Sequence, residues 1–429
     1  MLLKTARQVA AEALAKMERE DGWSSAVLDS ALERSGLPSR DKAFCSALFY
    51  GVVARRYTLD ACLAVYSKTP VPKLDERVRS LLRCGFYQLL WMDGVPDRAA
   101  VSETVNLARV MGRTSAAGLV NAVMRAFLRD GKKLPVAKTP LEQLAIDCSC
   151  PPEMARLLLF DWGEDTARNI LTAGLETPPA FARVNELKIS PEALIASFEK
   201  EGLSALADPV LPGCLRLEGN PSGTDAFREG LFFLQDRSSQ LCAHTVGARP
   251  GDAVLDCCAA PGGKSFSMAI AMENRGRLVS CDLHGHRADR MTERSHSLGI
   301  SILEPHTLDM AEPHPELGLF DRVLCDVPCS GLGTIRRRPE IKYKDPERFR
   351  ELPELQYRIL CEAAKYCKEG GLLVYSTCTL FSAENGMLTS RFLAEHPDFS
   401  LPDGNRERTI LPGEDGGDGF YLSAFTRIR

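Results

Sequence analysis

From Gln235 onward the chain alternates short apolar runs with amphipathic helical periods, and that alternation leaves few folds open to it. Runs at Ala253 to Leu255, Leu278 to Cys281, Ile302 to Leu303, Phe320 to Cys325 and Leu372 to Tyr375 read as strands. Periods near Lys264 to Met272, His286 to Leu298, Glu351 to Cys367 and Ala383 to Glu395 read as helices. This repetition predicts a doubly wound parallel sheet, an α/β Rossmann-like domain over 235–429. Such sheets hold their ligands beyond the carboxyl ends of the strands, so the residues that follow each run carry the chemistry.

The rest of the 429 residues reads differently. From Ala6 to about Arg129, apolar residues recur at three- and four-residue steps, as in Val101, Val105, Ala108 and Val120, Val123, Phe127, which predicts an all-α bundle over 1–140. Breakers at Gly36-Leu37-Pro38, Thr69-Pro70, Gly94-Val95-Pro96 and Gly131 to Pro135 divide it. The segment 141–234 combines helical stretches, Pro152 to Leu175 and Pro191 to Glu201, with strand candidates around Leu215 and Phe232, a small α+β domain. A multidomain chain is expected at this length.

Charge separates the regions. The net charge is −4, yet residues 1–140 carry 22 Lys+Arg against 14 Asp+Glu, leaving 31 against 43 for the remainder. A basic N-terminal region on an acidic protein can still track phosphates. The 15 cysteines are odd in number, and Met1 to Glu20 has no uninterrupted apolar core, so a reduced, cytoplasmic chain is expected. No stretch approaches the roughly 18 uncharged apolar residues of a membrane span. Cys148-Ser149-Cys150 and Cys257-Cys258 lack zinc spacing, and no metal is expected.

Two thiols stand apart from the other cysteines. Cys329 in Asp326-Val327-Pro328-Cys329-Ser330-Gly331 and Cys378 in Ser376-Thr377-Cys378-Thr379 each follow an apolar run and are flanked by turn or hydroxyl residues. Thiols at strand ends can attack an electron-poor carbon and leave again, so a pair suggests covalent catalysis with divided roles. After the first strand comes Asp256-Cys257-Cys258-Ala259-Ala260-Pro261-Gly262-Gly263-Lys264, a small-residue turn opening into a helix. It is neither the dinucleotide fingerprint nor a P-loop. Asp282 ends the second strand, 26 residues after Asp256, where an acid commonly accepts from ribose hydroxyls, and Asp309 follows the third. An adenosine-bearing cofactor without emphasised phosphates points to S-adenosyl-L-methionine, with NAD or a mononucleotide as alternatives. Carbon 5 of a pyrimidine is a poor nucleophile until a thiolate adds at carbon 6, so the two thiols and a methyl donor together suggest ring-carbon methylation.

These residues resemble the signature motifs of the NOL1/NOP2/Sun family of RNA 5-methylcytosine methyltransferases: Cys258 to Lys264, Asp326 to Thr334 and Ser376 to Thr379, with Gln235-Asp236, Pro339 to Lys342 and Asp418-Gly419-Phe420-Tyr421 continuing the likeness. The resemblance implies that Cys378 is the nucleophile, that Cys329 assists release, and that Asp326 serves the reacting base. It implies methyl-donor contacts at Cys258, Ala259, Ala260, Pro261, Gly262, Gly263, Lys264, Asp282, Asp309 and Asp326. DNA cytosine methyltransferases use their Pro-Cys thiol for attack, and the Thr-Cys element argues against them. Ala99 to Arg109 and Val120 to Arg125 resemble the NusB-like RNA-binding domain of the bacterial small-subunit rRNA branch, and Pro178 to Asn185 resembles its RNA-recognition-motif-like segment. The implied substrate is therefore 16S rRNA, unassembled or in an early subunit, met by a monomer. The same chemistry on tRNA or 23S rRNA, or a non-catalytic RNA-binding assembly factor, are the rivals. Arg287, Arg336 and Arg337 are candidate RNA contacts; Cys148-Ser149-Cys150, Arg237 and Tyr343 depart from the family's usual residues.

Overall fold

The structure is a computed structural model that describes residues 4–219, 221–402 and 407–428. Contacts group the chain into two compact units, one of Met1–Glu176 with Ile335–Pro346, the other of Thr177–Thr334 with Glu347–Arg429. The first is helical. Its helices begin at Ala6, Ser24, Ser39, Arg56, Glu76, Asp97 and Ala117, and the sequence breakers mark their starts: Pro38 and Pro96 occupy the N-cap positions of Ser39–Ala54 and Asp97–Val110. Asp75 caps Glu76–Trp91 by accepting from the backbone N–H groups of Arg77 and Val78. Leu48, Phe49, Leu63, Phe86, Val120 and Phe127 fill the core, where the Phe86 and Phe127 rings stack at 4.2 Å. Helices Pro140–Asp147 and Pro152–Ala173 belong to the same unit.

A strap from far along the chain completes that unit. Glu340 is 4% exposed and accepts from both the backbone N–H and the hydroxyl of Ser24, each at 2.9 Å. Lys342, fully buried, donates to the carbonyl of Ala54 at 2.9 Å, and burial pushes its ammonium down to about 8. Tyr343 lies under the Arg56 guanidinium at 3.8 Å and donates to the carbonyls of Ala54 and Ser149. The unusual Tyr343 and the Cys148-Ser149-Cys150 turn are thus in contact, and both cysteines are buried.

The second unit holds two sheets. The smaller joins β1 (Ala180–Val184), β2 (Ser204–Ala207), β3 (Cys214–Glu218) and β4 (Phe232–Leu234) in the antiparallel order β2-β3-β1-β4. Helix Pro191–Lys200 sets Leu194 and Phe198 against its Ala182, Val184, Leu215 and Phe232. Arg237, another departure, is buried in an ion pair with Asp208 at 2.5 Å.

The larger sheet contains β5 (Ala253–Asp256), β6 (Arg277–Asp282), β7 (Leu303–Thr307), β8 (Phe320–Asp326), β9 (Cys367–Thr377), β10 (Phe399–Ser400), β11 (Glu407–Ile410) and β12 (Phe420–Arg427). Its order is β10-β12-β9-β8-β5-β6-β7, with β11 paired to β12. Strands β5 to β9 are parallel, as expected of a doubly wound sheet. The wholly parallel expectation needs correcting, because β12 pairs antiparallel with β9, and β10 and β11 pair antiparallel with β12. Alternation explains why both faces are apolar: Leu255, Val279, Val323, Leu373 and Tyr375 enter one core, Val254, Leu278, Leu324, Leu372 and Val374 the other. Register then aligns the strand ends, pairing Asp256 with Ser280 and Asp326 with Ser376.

Candidate active site

The chemistry gathers where β5, β8 and β9 end. The Cys329 and Cys378 sulfurs are 3.2 Å apart. Each lies on the loop after its strand, and the backbone holds the loops together: Gly333 donates its N–H to the Cys378 carbonyl at 2.9 Å, and Gly419 donates to the Gly333 carbonyl at 2.8 Å. A Cβ on Gly333 would stand 2.0 Å from the Gly419 oxygen, so this crossing requires glycine. The Asp418-Gly419-Phe420-Tyr421 motif therefore braces the Pro-Cys loop.

The surroundings of the two sulfurs differ in charge. Lys264 donates to Asp326 at 2.7 Å, Ser376 donates to the other Asp326 oxygen at 2.8 Å, and Phe420 lies 5.3 Å beneath the Lys264 ammonium. Burial opposes the ammonium's charge, while Asp326 and any negative charge on Cys378 support it; the net effect holds Lys264 above the ordinary lysine range. Cys329 is pushed well up, first by its hydrogen bond with Cys378, then by burial and by the charges of Cys378, Glu384 and Asp326. Cys329 is thus kept as a thiol, and Lys264 favours an anion on Cys378.

Glu384 was not singled out from sequence, although it follows Thr379 closely. It is 2% exposed and accepts from the backbone N–H of Ser330 at 3.0 Å, from the Ser330 hydroxyl at 2.6 Å and from Gln356 at 2.7 Å. Gln356 also donates to the Pro328 carbonyl at 2.9 Å, and the Ser330 and Thr379 hydroxyls meet at 2.6 Å. The residues immediately after both thiols, Ser330 and Thr379, are therefore tied to each other directly, and Ser330 is anchored on the buried Glu384 carboxylate, whose pKa burial raises. Glu384→Ala leaves the Ser330 N–H and the Gln356 amide buried without their acceptor and is expected to destabilise the protein by about 1–3 kcal/mol. Chemical denaturation measures this; an unchanged midpoint together with unchanged turnover rules the clamp out.

The turn after β5 forms a cradle. Ala259 donates to the Cys281 carbonyl at 2.7 Å, Cys257 to the Leu324 carbonyl at 2.9 Å, and Gly262 adopts φ 104° before helix Gly263–Ala271. A Cβ on Gly262 would reach 2.4 Å from the Phe266 ring. Ser265 donates to Asp256 at 2.6 Å, and burial pushes the Asp256 carboxyl up to about 7. Asp282 is 7% exposed at the end of β6 and accepts from the His284 N–H, with Arg287 at 4.0 Å. Asp309 is exposed and accepts from the Ala311 N–H. A methyl donor with an amino-acid tail and ribose hydroxyls fits these groups: Gln235 has a buried side-chain nitrogen without a partner among the described residues, 3.5 Å from where a Cβ on Gly263 would stand.

The expected residues fall in both units. Cys329, Cys378, Asp326, the Cys258 to Lys264 turn, Asp282 and Asp309 share one unit, as does exposed Arg287. Arg336 and Arg337 belong to the helical unit's strap, where Arg336 is 7% exposed.

Known families match most of the chain. The model of the 16S rRNA methyltransferase RsmB/F family matches residues 243–426, that of the NusB family residues 4–129, and that of the RsmF/B-like ferredoxin-like domain residues 152–222. The probable ribosomal RNA small subunit methyltransferase B of Bacillus subtilis (strain 168) is 34% identical over 98% of both chains. The enzyme titled ribosomal RNA small subunit methyltransferase B of Sodalis glossinidius is 33% identical over 97% of this chain and 96% of its own. Among solved structures, PH0851 superposes with TM-score 0.84 at 23% identity, covering 99% of this chain and 100% of that one. NSun6 from Pyrococcus horikoshii, titled as solved with SFG, superposes with TM-score 0.61 at 22% identity, covering 65% of this chain and 98% of that one. A NusB-type helical domain, a ferredoxin-like middle domain, a methyltransferase domain and S-adenosyl-L-methionine as cofactor follow together, and the chain belongs to the RsmB/F family of 16S rRNA methyltransferases.

Proposed function

We propose that this rRNA methyltransferase modifies carbon 5 of one cytosine in 16S rRNA, with Cys378 as the attacking thiol and Cys329 as the releasing one. The observation that carries the reading is the 3.2 Å sulfur pair, with the Lys264 ammonium interacting electrostatically with Cys378 and the Glu384 carboxylate with Cys329. Bound S-adenosyl-L-methionine supplies an electrophilic methyl group on a sulfonium. Cys258 to Lys264, Asp282 and Asp309 are assigned to hold it, and Asp326 to face the base's nitrogen 3 edge. The Cys378 sulfur bonds to carbon 6, and the ring's electron pair moves to carbon 5, which takes the methyl group. A proton then leaves carbon 5, the carbon–sulfur bond breaks and Cys378 regains its electron pair.

The electrostatics suit Cys329 to the later step. While Cys378 is anionic, its hydrogen bond is the foremost reason that Cys329 keeps its proton, followed by burial and then by the Cys378 charge. Once Cys378 is a thioether both Cys378 influences disappear, and Cys329 is freer to ionise and accept the carbon 5 proton. We assign the reaction to a monomer in the cytoplasm acting on rRNA that is unassembled or in an early subunit, where an unpaired cytosine can be flipped into the site. No described helix is long and apolar enough to cross a membrane. Bisulfite mapping of 16S rRNA from cells with and without this protein is expected to lose one 5-methylcytosine; an unchanged 16S map with a loss in tRNA or 23S rRNA would move the substrate.

A further inference from the structure

Two thiols this close can react with each other as well as with a base. A disulfide needs a sulfur separation of about 2.0 Å, so the 3.2 Å between Cys329 and Cys378 leaves about 1.2 Å to close, shared between two loops. The loops are held in register. The Ser330 and Thr379 hydroxyls, one residue beyond each thiol, meet at 2.6 Å, and Gly333 donates its N–H to the Cys378 carbonyl at 2.9 Å. The encounter of the two sulfurs therefore needs no diffusive search.

Access separates this pair from the other cysteines. Eleven of the fifteen are buried, while Cys258, Cys329, Cys361 and Cys378 are half-buried. Cys361 lies against a ring, 3.4 Å from His396 Nε2, whereas Cys329 and Cys378 touch. Cys257 and Cys325 also hydrogen-bond to each other, but both are sealed in the core beneath β5 and β8. The Lys264 ammonium interacts with Cys378 and favours its thiolate, the form that attacks a peroxide. A half-exposed reactive thiol beside a second thiol is the arrangement of a reversible redox site.

We propose that the pair is a peroxide-sensitive lock: hydrogen peroxide oxidises Cys378 to a sulfenic acid, and Cys329 converts it to a disulfide that halts methylation until a dithiol reduces it. In the first step the Cys378 thiolate attacks a peroxide oxygen. The sulfur–oxygen bond forms as the oxygen–oxygen bond breaks, the sulfur loses two electrons, and the departing hydroxide takes up the proton that Cys378 released on ionising. In the second step the Cys329 sulfur attacks the Cys378 sulfur. The disulfide bond forms, the sulfur–oxygen bond breaks, and the hydroxyl leaves as water with the Cys329 proton. Two thiols and one hydrogen peroxide give one disulfide and two waters. Charge favours this order, because a neutral sulfenic acid at Cys378 no longer opposes ionisation of Cys329 as the thiolate did. The disulfide also spares Cys378 from sulfinic acid, which thiols do not reverse. The lock rests on the sulfur geometry and holds whichever thiol attacks the base.

The test treats the full chain, free of RNA, with a few equivalents of hydrogen peroxide, and maps its cysteines by mass spectrometry after alkylation in denaturant. The wild-type chain is expected to lose the mass of two hydrogens and to yield peptides joined through Cys329 and Cys378. With the peroxide removed, methyl transfer to 16S rRNA should be lost in proportion to the joined fraction and return with dithiothreitol. Cys329→Ser should instead carry Cys378 on to sulfinic acid, beyond rescue by dithiothreitol; if that variant does not fold, the wild-type map alone decides. Cys378 reaching sulfinic acid in the wild type while Cys329 stays open to alkylation overturns the proposal. So does a Cys378 joined to any other cysteine, or a joined chain that keeps full turnover. Joining is read here without product, so a chain that forms the disulfide but makes no 5-methylcytosine sinks the reaction and spares the disulfide.

Discussion

Cys378→Ala should lose methyl transfer to 16S rRNA by about four orders of magnitude or more, a scale typical of nucleophile removal. RNA affinity should stay within roughly twofold, because the thiol is a small group among the many contacts an RNA substrate makes. The argument is one of alternatives: Lys264 and its partner Asp326 survive the substitution, and the remaining thiol, Cys329, loses the influence of Cys378 but stays buried beside the charges of Glu384 and Asp326, which oppose its ionisation. Tritiated methyl incorporation measures the loss. Retention of even a tenth of the wild-type rate would transfer the nucleophile's role elsewhere.

Cys329→Ala should do the opposite to the intermediate. With Cys378, Lys264 and the cradle intact, carbon 6 is still attacked and the methyl group still moves, but the group placed 3.2 Å from the new thioether is missing. Most of the enzyme is then expected to run as a protein–RNA adduct on a denaturing gel after incubation with cofactor and 16S rRNA, with turnover reduced on the order of 10²–10⁴-fold as for a lost general base. Free protein alone, at normal turnover, would end the release assignment. A double Cys329→Ala/Cys378→Ala variant should form no adduct, which ties the trapped bond to Cys378.

The parts of this site legible in the sequence were those encoded locally. An apolar run followed by Asp-Val-Pro-Cys or Thr-Cys announces a strand end, and the turn Cys258 to Lys264 announces a cradle, because the stop signal and the functional residue are neighbours. The strand β12 was missed because Phe420–Arg427 earns its place through pairing with β9, some fifty residues earlier, and its own pattern is not a parallel-sheet unit. Glu384 escaped for a related reason: its partners Ser330 and Gln356 lie 54 and 28 residues away. Arg336 reads in the sequence as a candidate RNA contact after the Cys329 loop; that it is buried, with neighbouring Pro339, Glu340 and Lys342 in the helical unit, is set by residues far away in the chain.

That strap bears on how the protein is made. The helical unit's last segment, Ile335–Pro346, follows Glu176 by about 160 residues, a delay in translation on the order of ten to thirty seconds at roughly 5–20 residues per second. Until then the Ser24 N–H lacks its Glu340 acceptor and the Ala54 carbonyl its Lys342 donor. Begun before the catalytic domain, the helical bundle is finished only after the Pro-Cys thiol has been translated, so a nascent chain cannot present a complete bundle without having already made most of its catalytic domain.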